Sequence, residues 1–482
     1  MGVLEMLEPK SVFAYFEAIS GIPRGSGHTE RIQEYLKAFA EARALPVYTD
    51  EAGNTIIKKP GTKGRERISP VILQGHVDMV CAKRADVRHN FETDALDLGV
   101  DGDWIHANGT TLGGDDGIAV AMMLAILDSD TIPHPPLECV FTSDEETGLL
   151  GAEALDTSKL SGRTMINLDS EEEGIFTCGC AGGCRVDSHL PIRRITQRGL
   201  PVMVTFTGLR GGHSGGEIDK MRANADKLAG RYLYELSRAG EFSLAGVSGG
   251  DKDNAIPPEA RIQLVIDEDD FRDLVVFTED FEKTIRKEYA KTDPGIRIRT
   301  EKGSVHRVSV LDTESQDRVI AFLQLVPFGV RKMSPDIGDL VETSLNLGIV
   351  RTGEAEFAAT SSVRSSVPSE KAELVSEIRC LTEYLNGSIQ VRGDYPAWEF
   401  HDTSALRDLM EETYEELFDK EALVSVIHAG LECGLFYEKM PGLDAVSIGP
   451  DMKDIHTSEE RLSVSSTART YAFLLEILKK WK

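Results

Sequence analysis

The chain has 482 residues, 41% of them hydrophobic, and a formal net charge of −27 at pH 7, a balance that permits sizeable cores and argues against nucleic acid or an anionic membrane surface as partners. Its length exceeds the roughly 250 to 300 residues at which single cores stop growing, so two domains are expected. The stretch Met1 to Ser11 offers no long apolar run, Met6 stands where a myristoylation signal needs Ser or Thr, and no window approaches about 18 uninterrupted apolar residues, so neither secretion nor membrane insertion is expected.

In chain order, apolar residues recur at helical spacing from Pro9 to Ile19 and from His28 to Ala44, with Pro23-Arg24-Gly25-Ser26-Gly27 as the turn between them. Thr55 to Lys58 is a short strand candidate, and Val71-Ile72-Leu73-Gln74-Gly75 reads as a buried strand that delivers His76-Val77-Asp78 at its C-terminal end. The loop Thr111-Leu112-Gly113-Gly114-Asp115-Asp116-Gly117 then sets two acids among three glycines, ahead of an Ala-, Met- and Leu-rich helix from Ile118 to Leu127 that should be buried on most sides. Glycines let such a loop turn tightly against a ligand, and acids are favoured at a helix N-terminus; taken alone, the stretch also reads as an ordinary acidic cap. Leu137 to Thr142 is another strand, ending in Ser143-Asp144-Glu145-Glu146-Thr147-Gly148, and Thr164 to Leu168 repeats the design, finishing on Asp169. Three strands in succession thus end in acids, at the sheet edge where ligands bind in open α/β folds.

Near residue 187 the texture changes. Pro201 to Thr207 alternates like a half-exposed strand, followed by the glycine-rich Gly211-Gly212-His213-Ser214-Gly215 and a helix from Lys220 to Arg238. Arg261 to Ile266 is strand-like, Phe271 to Tyr289 helical, and strands at Asn346 to Arg351 and Glu356 to Ser362 precede a helix from Lys371 to Leu385. This part reads as antiparallel α+β, long enough for two similar halves. From about 400 the earlier pattern returns, with a helix from Ser404 to Leu417, a strand from Leu423 to Ile427, a helix opening after His428, a strand from Ala445 to Ile448, a loop carrying His456, and an amphipathic helix from Ser463 to Trp481. The expected architecture is one α/β domain from residues 1–186 and 400–482, interrupted by an inserted α+β domain at 187–399.

The chemistry-bearing residues at strand ends and loops are His76, Asp78, Asp115, Glu145, Glu146, Asp169 and His456. Imidazole and carboxylate without thiolate suit zinc, with manganese or cobalt as alternatives. Seven cysteines, among them the cluster Cys178, Cys180 and Cys184 with no fourth partner nearby, fit reduced thiols in a cytoplasm better than a disulfide framework or a closed thiolate site.

In order and spacing, Gly75-His76-Val77-Asp78, Gly113-Gly114-Asp115-Asp116-Gly117, Asp144-Glu145-Glu146-Thr147-Gly148, Asn167-Leu168-Asp169 and the late His456 resemble the successive motifs of the dinuclear zinc aminoacylase/carboxypeptidase-type metallopeptidases, and within them the aminoacyl-histidine (Xaa-His) dipeptidases. The resemblance implies a zinc-peptidase-like catalytic domain with a mixed central sheet and an inserted lid domain. It implies two zinc ions bridged by Asp115, with His76 and Asp169 completing one site and Glu146 and His456 the other. Asp78 would bond the far nitrogen of His76 and fix its tautomer, and the Asp115-Asp116 peptide would be cis. Glu145 would be the general base for attack by metal-bound hydroxide on the scissile carbonyl. His213 resembles the histidine that steadies the oxyanion, delivered across a homodimer in some relatives and within one chain in others; both remain open. Asn254, Arg364 and Gly430 fall where relatives bind substrate, Arg364 suiting a terminal carboxylate. The implied function is hydrolysis of unblocked dipeptides, Xaa-His among them. The alternatives are an N-acyl amino acid or aminotripeptide hydrolase of the same superfamily, and a non-catalytic metal- or peptide-binding module.

Overall fold

A computed structural model describes residues 2–335 and 337–482. The chain divides into two compact units. The first takes the chain up to Cys180 together with Trp398–Val426 and Leu431–Lys482; the second is Ala181–Ala397 with the short piece Ile427–Gly430.

The first unit is built on a mixed sheet, with strand order Val47–Thr49, Thr55–Lys59, Leu137–Thr142, Val71–His76, Thr164–Asn167, Asp444–Ser447, Ile175–Cys180 and Leu423–Ile427. Its centre is parallel: Val71 lies opposite both Leu137 and Thr164, and Asp444–Ser447 runs alongside Thr164–Asn167. These central strands are buried along their length, their apolar residues interrupted by buried polar ones such as Gln74, Glu138 and Asn167. Because the registers match, His76, Thr142 and Asn167 all leave the sheet at one edge, and the segments that follow carry the acids. The helix Gly114–Asp128 is buried from Gly114 to Leu127 and packs on Lys10–Ser20, whose Val12, Phe13, Phe16 and Ile19 have no exposure. Burying each such side chain contributes about 1.5–3 kcal/mol. A smaller antiparallel sheet pairs Leu98–Asp101, Trp104–Ala107, Arg461–Ser463 and Met452–Lys453.

The second unit is an antiparallel sheet whose main path runs Arg297–Lys302, Arg194–Thr207, Ala260–Ile266, Ser243–Gly249, Val341–Thr352, Glu356–Ser365, Gly182–Pro191 and Ser388–Tyr395. The order reads alike outward from the junction of Ser243–Gly249 with Val341–Thr352, and each half adds two long helices, Ala225–Ala239 with Phe271–Glu288 and Thr313–Leu325 with Pro368–Tyr384. The helix expected from Lys220 begins at Ala225 instead. Asn224 caps it, its side chain accepting from the Asp226 and Lys227 amides, and Met221 just before it has a left-handed φ of 49°.

Among the described residues no helix is long and apolar enough to cross a membrane. The seven cysteines are unpaired. Burial pushes the thiols of Cys178, Cys180 and Cys184 up to about 12, 11 and 11, so they are protonated at neutral pH.

Candidate active site

At the common edge of the first unit's sheet the side chains converge. The backbone is not helical at Asp115 and Asp116, the peptide between them is cis, and Asp115 points its two oxygens at two different imidazoles. Its Oδ1 lies 3.0 Å from His76 Nε2 and its Oδ2 3.1 Å from His456 Nε2. His76 Nε2 is also 3.5 Å from Asp169 Oδ1, and His456 Nε2 is 3.0 Å from Glu146 Oε2. Two donor sets share Asp115: His76 with Asp169, and His456 with Glu146. Asp116, to which sequence reasoning gave no role, lies close to His76 and Asp169, and its Oδ2 accepts the His76 amide at 3.2 Å.

Asp78 organises the neighbouring turn. Its carboxylate accepts from Ser26 Oγ at 2.8 Å and from the amides of Glu145 and Glu146 at 3.1 and 3.3 Å, so it fixes where both glutamates start. His76 Nδ1 is 3.2 Å from the Asp78 carbonyl and 3.4 Å from its carboxylate, either of which holds the proton on Nδ1 and leaves Nε2 free as a ligand. One ligand atom each from His76, Glu145 and Glu146 lies within 4.8 Å of the others.

The electrostatics fit a cation. Burial lowers His76, but the Asp169 charge and its bonds to Asp115 and Asp169 win and hold its pKa well above the usual range; bonds to Asp115 and Glu146 raise His456 to about 10. Burial, against the pull of His76, raises Asp169 to about 6. Burial likewise drives Glu145 well up, with Asp169, Glu432 and Glu146 adding to it against His76. Glu146 Oε1 and Asp116 Oδ1 are buried with no hydrogen-bond partner. Crowded carboxylates and a buried carboxylate oxygen with no hydrogen-bond partner are what a divalent cation would stabilise.

In the second unit His213, Arg364, His428 and Gly430 belong to one neighbourhood. A Cβ on Gly215 would stand 2.7 Å from the His428 carbonyl, 3.1 Å from His213 Cε1 and 3.2 Å from Arg364 Nε, so only glycine allows this approach. His213 Nδ1 accepts the amides of Gly215 and Gly216 at 3.3 and 3.0 Å, which puts the ring proton on the exposed Nε2, and desolvation followed by the Arg364 charge keeps the ring neutral. His213 pairs with Ala255 across a short ladder, beside Asn254, whose carbonyl accepts the Ser214 amide. Arg364 is 8% exposed, donates to the Tyr395 hydroxyl at 2.9 Å, leaves Nε unpartnered and pairs with no carboxylate among the described residues. A buried guanidinium without a counter-charge is an anion receptor in waiting. Gly430 lies against the Tyr395 ring; the helix after it starts at Glu432, two residues beyond it.

Four further residues carry the site without a sequence signal. Arg24, buried at 2% exposure, donates to the carbonyls of Val77, Asp78 and Gly113. Glu432, raised to about 7 by burial, bonds Gln74 and Thr142, and Gln74 in turn holds Asn167, two residues before Asp169. Glu460 accepts amides of the Asp115 loop. His428, lowered to about 3 by burial and then by Arg364, shares a 2.7 Å bond with Ser344 Oγ.

Two imidazoles and a set of carboxylates brought together at the edge of an α/β sheet fit a metallohydrolase-type centre. A family model for peptidase family M20/M25/M40 matches residues 72–480. The chain is similar to the cytosol non-specific dipeptidase of Escherichia coli K12, with 36% identity covering 100% of this chain and 99% of that one. It is similar to the crystal structure of aminoacylhistidine dipeptidase from Vibrio alginolyticus, with a TM-score of 0.93, 34% identity and coverage of 99% of this chain and 98% of that chain. The aminopeptidase PepT structure from Bacillus cereus, at 15% identity and a TM-score of 0.56 over 98% of this chain and 99% of that chain, shares the fold. The chain belongs to peptidase family M20/M25/M40.

Proposed function

We propose that the protein is a dinuclear zinc dipeptidase acting on unblocked dipeptides, Xaa-His among them, with manganese or cobalt able to replace zinc. The observation that carries this reading is the bidentate presentation of Asp115 to His76 and His456, each histidine with its own acid, Asp169 or Glu146. His76, Asp115 and Asp169 would hold one ion, and His456, Asp115 and Glu146 the other. Bound there, divalent ions supply an acidified water at neutral pH and polarise the scissile carbonyl.

The remaining steps belong to side chains. Glu145, held by Asp78 through its amide, takes the proton of the water as its oxygen attacks the carbonyl carbon, and delivers that proton to the amine nitrogen as the C–N bond breaks. His213, neutral with its proton on Nε2, donates to the oxyanion, a contribution of about 3–4 kcal/mol for donors of this kind. Arg364 pairs the C-terminal carboxylate, with Asn254 and Gly430 as further substrate contacts, which favours short peptides with a free C-terminus. The similarity to proteins named cytosol non-specific dipeptidase and aminoacylhistidine dipeptidase supports this substrate class. The test is titration of metal-free protein with zinc while following hydrolysis of an unblocked dipeptide. Two equivalents per chain for full activity are expected; full activity at one equivalent, or without metal, would refute the dinuclear reading.

A further inference from the structure

Glu460 is buried at 2% exposure. Its Oε2 accepts the amides of Leu112 and Gly113 at 2.8 and 3.1 Å, and its Oε1 those of Gly114 and Asp115 at 2.8 and 3.4 Å. Four successive N–H groups of the loop that presents Asp115 are wrapped around one carboxylate. Charge-assisted bonds of this kind are about twice as strong as neutral ones.

The same side chain ends the loop that carries His456. That loop closes the antiparallel pair Met452–Lys453 with Arg461–Ser463. His456 sits in it with a left-handed φ of 62°, which a non-glycine residue adopts only when its surroundings impose it. Local bonds shape the loop: Thr457 Oγ1 to the Asp454 carbonyl at 2.6 Å, the Glu460 amide to the Thr457 carbonyl at 3.3 Å, and Arg461 to Asp454 at 3.0 Å. None of these reaches the Asp115 loop; the Glu460 carboxylate does.

We infer that Glu460 is a positioning residue that fixes the Asp115 loop and the His456 loop to each other, so that the ligand geometry of the centre is set before any ion binds. The inference rests on the metal-centre reading of the proposed function. Glutamine at this position would turn an NH2 group toward two amide donors and lose half of the clamp, and aspartate would fall one methylene short of the loop.

The test measures zinc affinity by competition with a chromogenic chelator, the visible spectrum of the cobalt-loaded protein, and the unfolding midpoint of the metal-free protein, for wild type, Glu460→Gln, Glu460→Asp and the exposed control Glu459→Gln. Substitutions of residues that hold metal ligands in place typically weaken affinity about 10- to 100-fold, and that is the expectation for Glu460→Gln, with an altered cobalt spectrum and activity regained in excess metal. Glu460→Asp should recover part of the affinity, and Glu459→Gln should match wild type. Wild-type affinity and an unchanged cobalt spectrum in Glu460→Gln would overturn the inference, as would an equal loss in Glu459→Gln. Should Glu460→Gln not fold, Glu460→Asp decides: weaker binding with a wild-type unfolding midpoint supports the role, and wild-type affinity overturns it. A wild-type protein that binds no metal would instead refute the centre itself.

Discussion

Replacing Arg24 with methionine tests how the site is held in place. The guanidinium Nη1 donates to the Val77 and Asp78 carbonyls at 2.9 and 3.1 Å, and Nη2 donates to the Gly113 carbonyl at 2.5 Å. It joins the strand end carrying His76 to the loop carrying Asp115. Gly113, with φ of 64°, leaves the room: a Cβ there would stand 2.5 Å from Nη2. Methionine fills similar space without a donor. Three bonds to a charged group, at about 1.5–3 kcal/mol each, are lost, and three carbonyls lose a donor. Relief of several kcal/mol of guanidinium desolvation offsets part of this, leaving a net loss of about 2–4 kcal/mol. Urea unfolding of the metal-free protein reads the stability, and a zinc competition titration reads the site, where a weakening of about 10- to 100-fold is expected. Arg24→Lys, which keeps the charge but not the fork, should fall between methionine and wild type. A methionine variant with the wild-type midpoint and wild-type zinc affinity would refute the argument.

Glu145→Gln should keep its metal and lose about 10²–10⁴ in kcat, read by steady-state kinetics beside metal analysis; full turnover would remove Glu145 as the base. His213→Ala should lower kcat about 10²–10³-fold with metal content unchanged. If one chain supplies both halves of the inserted unit, mixing His213→Ala with Glu145→Gln chains should restore nothing, whereas recovered activity would establish delivery from a neighbouring subunit. Asp226, fully buried with neither carboxylate oxygen bonded, is held well above the usual range by burial against the pull of Arg351. A carboxyl raised in the folded state gives its full stability below its unfolded pKa of about 3.9 and loses it as pH climbs toward the folded value. Asp226→Asn should therefore gain on wild type in urea midpoint as pH rises above about 4, and parallel pH profiles would contradict this.

The strand ends of the first unit were legible because Val71–Leu73, Cys139–Phe141 and Met165–Ile166 are short apolar runs followed within a few residues by His76, Glu145 and Asp169. Parallel strands buried on two sides leave that pattern in a sequence. The pair Leu98–Asp101 and Trp104–Ala107 passed unread although Gly102, with φ of 59°, marks its turn, because both strands are short and only half-buried and so leave no apolar run. Ile175–Cys180 and Gly182–Pro191 were masked by their glycines, a residue depleted in strands. Arg24, Glu432 and Glu460 had no local signal at all. Each is a single charged residue whose role exists only once the fold has buried it against loops or strands far away in sequence, Glu460 reaching Leu112 across 348 positions.

The most direct test of the proposed activity is metal-dependent release of histidine from an unblocked Xaa-His dipeptide, run beside its N-acetylated form and an unblocked tripeptide. Selective cleavage of the free dipeptide, abolished by chelation and restored by zinc, is the predicted result. Cleavage of only the acetylated compound or the tripeptide would contradict the dipeptidase reading and move the protein to the N-acyl amino acid or aminotripeptide hydrolases, and no cleavage of any of the three with metal bound would contradict a catalytic role.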